Sequence, residues 1–298
     1  MDKRFHFSLI AALLLSSASV VQSQQAVENA LFWKIQRHDL PAPSYLFGTF
    51  HLMGSQYIDS LDGVIGGFHE CEAVVGEILL DSSITMKLMV AARLNGTTLD
   101  KLLSPEDYRS IDAWFNELSG MDLSRFNSMN PATVQNLMMV MLQQKYYPSH
   151  LPGDEPMDLY FQHLGKSQGK ELMGLENLDV QINALFRQFP VERQAEMLAD
   201  FVRNRDRALS ELKQMNTSYR KGDLGNLEQL LAEQNYTKSE SSILLDDRNR
   251  KWMEMLPALL RVQPTFVAVG ALHLAGEYGL VSLLRKAGYT VTSVPTKL

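Results

Sequence analysis

Residues 265–291 read TFVAVGALHLAGEYGLVSLLRKAGYTV, and this stretch decides the fold class. TFVAVG is a continuous apolar run rich in β-branched residues, as expected of a buried strand entering a turn. GEYGLVSLLRKAG has the spacing of an amphipathic helix closed by Gly288. YTVTSVP then reads as a last strand. Strand, helix and strand in such close succession predict a sheet with helices on at least one face. The stretch also contains GALHLAG, residues 270–276, and its frame G-x-x-H-L-x-G occurs once more as GTFHLMG at residues 48–54.

Both motif histidines follow a hydrophobic run, YLFGTF before His51 and TFVAVGAL before His273. Ligands of α/β sheets gather at the ends of buried strands. The glycines Gly48 and Gly270 allow a tight bend or a close approach of backbone to another group. The two motifs therefore predict a pseudo-repeat in which each half of the chain delivers one strand end, and the two ends are neighbours in one sheet.

Outward from the first motif, ALFWKIQR and SYLFGTFH are aromatic and β-branched runs separated by HDLPAP, which predicts a hairpin or adjacent strands. SLDGVIGGFHECE predicts a short helix and EAVVGEILL a buried strand. The middle of the chain, about 82–261, is mainly helical. Ser104-Pro105-Glu106-Asp107 is a helix start, PATVQNLMMVMLQQKYY opens on Pro131, and MDLYFQHLGKSQGKELMGLE reads as helix, turn and short strand. The long charged run from Pro190 reads as one helix or two with a break, and its charges as a solvated face. The methionines of the middle section read as core packing. The expected class is α/β (α+β): a mixed β-sheet core from the N- and C-terminal regions, with a large mainly helical middle section.

The 298 residues carry a formal net charge of -6, which provides no electrostatic footprint for nucleic acid or an anionic membrane. Apolar content of 45% and charged content of 21% are those of a globular chain rather than a disordered one. The N-terminus has Lys3 and Arg4, then an apolar run over 9–15, then small and polar residues, the layout of a secretory signal peptide. We place this signal at 1–23, with cleavage after Ser23 or alternatively Ala18, and one domain at 24–298. The expected location is the periplasm or the exterior, with no stable membrane insertion after cleavage. One cysteine, Cys71, excludes an intramolecular disulfide, and its apolar setting predicts a buried, inert thiol.

His51 and His273 alone make a poor hydrolytic metal site, since such sites commonly use three protein ligands and leave one position for water. Glu77 is the third candidate, because a carboxylate within the apolar run AVVGEILL is costly unless paired or metal-bound. Two imidazoles and a carboxylate suit zinc, manganese, iron or cobalt. His69 precedes an acidic stretch and could stand behind a ligand; His38, His150 and His163 have no evident partners. The chain has no G-x-S-x-G elbow, P-loop, G-x-G-x-x-G before a helix, or H-E-x-x-H helix.

YLFGTFHLMG, AVVGEILL, GKELMGLEN and FVAVGALHLAGEYGLVSLLRKAGYTV together resemble the TraB/GumN family, which is related to the Tiki proteins and to the pheromone-shutdown TraB/PrgY proteins. The resemblance extends over roughly residues 30–295. It implies a metal-dependent hydrolase with a divalent ion (Mn, Zn or Co) on His51, His273 and Glu77. It makes Glu176 of GLE a second acidic candidate and marks Asp158, Arg248 and Asn249 as polar positions around the ligands or the substrate. Gly76 stands where a bulkier residue is common in the family, and Asn177 where Thr is usual.

The function expected is hydrolysis of a peptide or amide bond in a peptide or protein substrate by a metal-activated water, with Glu77 as ligand or general base. Glu176 or Asp158 would orient a ligand or take the proton. Arg248 would hold a substrate carboxylate or stabilise an oxyanion, unless it forms a structural ion pair with Glu176. The alternatives are a non-catalytic peptide- or partner-binding protein using the same cleft, and a metal-dependent hydrolase of a non-peptide substrate.

Overall fold

Six strands form a single mixed sheet, seen in a computed structural model that describes residues 29–79, 82–148, 154–234 and 236–296. The expected signal peptide lies outside the described residues. In chain order the strands are β1 (Phe32–Gln36), β2 (Ser44–Thr49), β3 (Ala73–Gly76), β4 (Glu171–Gly174), β5 (Thr265–Gly270) and β6 (Thr290–Ser293). Their order across the sheet is β4-β3-β5-β2-β1-β6. β4, β3, β5 and β2 run parallel; β1 is antiparallel to both of its neighbours. The fold class is therefore α/β, as the chain end predicts, and the hairpin expected around HDLPAP is the β1–β2 pair.

Alternation along the strands sends buried side chains to both faces, because successive Cβ atoms point in opposite directions. One face carries Phe32, Tyr45, Phe47 and Phe266. These rings pack with Phe68 from the Val64–His69 helix and Phe161 from the Met157–Ser167 helix at centroid distances of 4.8 to 6.4 Å. The two helices approach closely because Gly67 and Gly165 lack side chains: a Cβ there would lie 2.6 Å from Phe32 and 2.8 Å from Val74. Trp33, Leu46, Val75, Val267 and Val269 fill the other face, all buried. The Leu280–Lys286 helix packs on β6, with the Arg285 guanidinium 5.4 Å from the Trp33 ring.

A second hydrophobic core lies in the middle section, where Ile111, Trp114, Phe115, Met138, Leu142, Leu198 and Leu212 join four helices. These are Pro105–Ser119, Pro131–Tyr146, Val191–Arg203 and Arg205–Arg220. Ser104 caps the first of them, accepting from the Asp107 N–H. Asn204 interrupts the long charged run, so it forms two helices. A buried amide pair joins the helical layer internally: Gln143 and Asn216 exchange hydrogen bonds of 3.0 and 2.8 Å. Tyr219 ties the layer to the sheet by donating to the Gly48 carbonyl at 2.7 Å.

Two expectations need adjustment. The middle section supplies the edge strand β4, so the sheet is not built from the terminal regions alone. β3 stops at Gly76, so Glu77 stands one residue past the strand rather than inside it. The backbone turns away there, and Gln162 Nε2 donates to the buried Ile78 carbonyl at 2.9 Å. Cys71 is buried and free, and burial pushes its thiol up to about 12.

Phe266 is fully buried and touches rings from two strands and two helices. Phe266→Ala is expected to lower stability by about 3–5 kcal/mol, read from urea denaturation, with the helical content of the folded state unchanged.

Candidate active site

Four adjacent parallel strands end side by side, and each delivers one polar group just beyond its carboxyl end. Across the sheet these are Glu176 after β4, Glu77 after β3, His273 after β5 and His51 after β2. Both histidines face one oxygen of Glu77: His51 Nε2 lies 3.9 Å and His273 Nε2 3.8 Å from Glu77 Oε1. The convergence spans three strands because Gly270, between them, has no side chain. A Cβ at 270 would stand 3.3 Å from Glu77 Oε1 and 3.4 Å from His51 Nε2, closer than ordinary contact. The Gly270 N–H also donates to Glu77 Oε1 at 2.9 Å. Gly48 plays the reciprocal part: its missing Cβ leaves room for Ala271 and Leu274 of the turn that carries His273.

Hydrogen bonds fix the state of each imidazole. Asn249 Nδ2 donates to the carbonyls of His273 and Tyr278, so its Oδ1 must be the atom that meets His273 Nδ1 at 2.7 Å. His273 therefore carries its proton on Nδ1 and turns the Nε2 lone pair into the site. That lone pair accepts from Arg248 Nη1 at 3.1 Å. His273 is 5% exposed, and burial brings its pKa down to about 3. His51 is 62% exposed. Its Nδ1 meets Asp158 Oδ2 at 2.7 Å while Thr49 donates to Asp158 Oδ1 at 2.7 Å. The Asp158 charge raises His51 to about 9.

Glu77 is 7% exposed. Burial by itself would push its carboxyl up, but the two imidazoles, the Arg248 guanidinium and the Gly270 N–H outweigh burial and bring it down to about 2. Arg248 grips Glu176 through Nε (3.1 Å) and Nη2 (2.7 Å), reaches Glu77 Oε2 at 2.6 Å and donates from Nη1 to the Leu244 carbonyl at 3.2 Å. With His273 added, every N–H of the guanidinium is directed at a group of the protein. Glu176 and Arg248 thus form a bidentate ion pair within the site.

All of the polar residues expected from the sequence meet here: His51, His273, Glu77, Glu176, Asp158, Arg248 and Asn249. Trp252 and Gln181 escaped the sequence reading. The Trp252 ring lies 4.3 Å from that of His273, and its Nε1 donates to Glu176 at 3.1 Å. Its signal was helical spacing, since Arg248, Asn249 and Trp252 share one face of the Asp246–Val262 helix. Gln181 Nε2 approaches Glu77 Oε2 at 3.4 Å, and nothing in its sequence context marks it. His69 pairs instead with Gln168 and His163 with Glu155. His150 lies outside the described residues.

The donor chemistry suits a divalent ion: two imidazole nitrogens and an ionised carboxylate, with the far nitrogen of each ring held by an oxygen. The positions are looser than a bound ion requires. Among the described residues no group of three or more His, Cys, Asp or Glu side chains is set to hold a metal. The approaches of 3.8 and 3.9 Å to Glu77 Oε1 exceed the ~3.4 Å between neighbouring ligands of a tetrahedral ion with bonds of about 2.1 Å. Arg248 meanwhile occupies the His273 lone pair. A cleft of about 460 Å³ opens beside His51, between residues 52–60 and the Pro131–Tyr146 helix, with Tyr57, Val140, Tyr147 and Arg220 among its walls.

The model of the TraB/PrgY/gumN family matches residues 31–293. The chain belongs to this family. "Metalloprotease TIKI2" of Danio rerio is 23% identical to it over 327 residues, covering 90% of this chain and 61% of that protein. The chain thus spans about three fifths of the length of this relative. No solved structure matches the chain.

Two measurements test this geometry. Gly270→Ala is expected to push His51 away from Glu77 with little effect on the urea midpoint, read as a displaced His51 ring signal by NMR. Stability drawn from neutral His273 is present above pH 6.5 and lost as pH falls toward about 3, because the unfolded chain takes up a proton that the folded chain refuses. Glu77 adds a further loss below 4.5, toward about 2. His51 has the opposite sign, its contribution fading as pH rises through about 9, and solvent screens it. His273→Gln should therefore flatten the fall in urea midpoint between pH 6.5 and 4.5. An unchanged slope would mean that folded His273 already carries the proton.

Proposed function

We propose that this chain is a hydrolase of peptide or amide bonds in which His51, His273 and Glu77 hold a divalent ion. The observation that carries this reading is the convergence of two imidazole Nε2 atoms on one carboxylate oxygen, each ring fixed from behind at Nδ1 by Asp158 or Asn249. The relationship to a protein named as a metalloprotease supports the same class. A divalent ion in this position would supply a water of lowered pKa and polarise the scissile carbonyl.

The chain's own residues perform the positioning. Asp158, held by Thr49, sets the His51 ring; Asn249, held by two carbonyls, sets the His273 ring. Glu77, ionised and buried, serves as ligand or general base, and Glu176 keeps Arg248 beside it. A substrate peptide would reach His51 along the cleft, where Tyr57, Val140 and Tyr147 offer apolar contact. We further propose that residues 1–23 export the protein to the periplasm or the exterior and that 24–298 form one domain with a helical insertion. Among the described residues no helix is long and apolar enough to cross a membrane.

One observation favours a non-catalytic binder in the same cleft: Arg248 already satisfies Glu77, Glu176 and His273. Digestion of a peptide library with and without chelator separates the two. Cleavage should stop with chelator and in His51→Ala and His273→Ala, and Asp158→Asn should weaken metal binding by about 10–100-fold. Unchanged peptide binding in both histidine variants, with no cleavage by the wild type, would establish the binder instead.

A further inference from the structure

We infer that Arg248 competes with the divalent ion for His273, so that the affinity of the site for metal is set by how readily this guanidinium withdraws. The inference rests on the metal-binding reading above. Its basis is the single lone pair of His273. Asn249 places the ring proton on Nδ1, which leaves Nε2 as the only acceptor, and Arg248 Nη1 occupies it at 3.1 Å. A lone pair given to a guanidinium N–H is not available to a metal.

The other contacts of Arg248 show what withdrawal requires. Its bidentate hold on Glu176, made through Nε and Nη2, does not involve Nη1, so withdrawal from the ring disturbs only the Nη1 contacts with His273 and the Leu244 carbonyl if the Glu176 pair moves as a unit. Glu77 divides its oxygens between the rivals. Oε2 faces Arg248 at 2.6 Å, whereas Oε1 faces both imidazoles and accepts from Gly270. Glu77 can therefore serve either cation, and the contest is confined to His273 Nε2 and to the electrostatics of a positive group beside an incoming cation. The arginine is 12% exposed and lies over the Trp252 ring, with its charge centre 4.9 Å from the ring centroid, so it is held as part of the site.

The test is a calorimetric titration of the full chain, freed of metal by dialysis against chelator, with Mn²⁺ and with Zn²⁺. Wild type is compared with Arg248→Gln and Arg248→Lys, and circular dichroism reports folding. Arg248→Gln removes both the charge and the competing N–H and should bind at least about tenfold tighter. Arg248→Lys keeps a charge for Glu77 and Glu176 but has one nitrogen where the guanidinium has three, and it should also bind tighter, by less. If Arg248→Gln does not fold, Arg248→Lys decides alone. Equal or weaker binding in the folded variants, beside a wild type that binds, overturns the competition and leaves the metal reading standing. No binding by any of the proteins overturns both.

Discussion

A buried, ionised carboxylate governs this structure. Glu77 sits in an environment whose burial penalises its charge, at the point where an apolar strand ends. It is tolerated because positive or donating groups from separate parts of the chain meet it: the Gly270 N–H, the Arg248 guanidinium and the His51 imidazole, whose pKa is raised to about 9. The sheet order β4-β3-β5-β2 and the anchoring of the Asp246–Val262 helix over the strand ends satisfy that one requirement.

The two G-x-x-H motifs are coupled by space as well as by the pairing of β2 with β5. Each motif's first glycine leaves room for the other's contents: Gly48 for the Ala271–Leu274 turn, Gly270 for His51 and Glu77. Parallel pairing of β2 and β5 puts Thr49 opposite Gly270, so the motifs emerge in nearly the same register. A small residue is needed at each crossing because neighbouring strands are only about 4.8 Å apart, and side chains of two strands must pass over the third.

The histidines share a motif but not an environment. His273 is enclosed, neutral and held by an amide; His51 borders the cleft and is held by a carboxylate that favours its charged form. The asymmetry suits a site with one wall built into the protein and the other facing a ligand. Arg248 ties the closed wall together, since it pairs with Glu77 and Glu176 at once.

Much of this was legible in the residues. The apolar runs ending in glycine, the helix-closing Gly288 and the capped start at Ser104 are local signals, so strands and helices could be read without the fold. The duplicated frame around His51 and His273, and a glutamate at the end of an apolar run, marked the centre of the site for the same reason: a polar group in apolar surroundings needs a partner. The partners themselves were settled by tertiary structure. Only packing brought β4 from the helical middle to the sheet edge, stopped β3 one residue before Glu77, and laid Trp252 and Gln181 against the site. Only packing gave the His273 lone pair to Arg248, because which donor reaches a buried acceptor depends on distances between elements far apart in the chain.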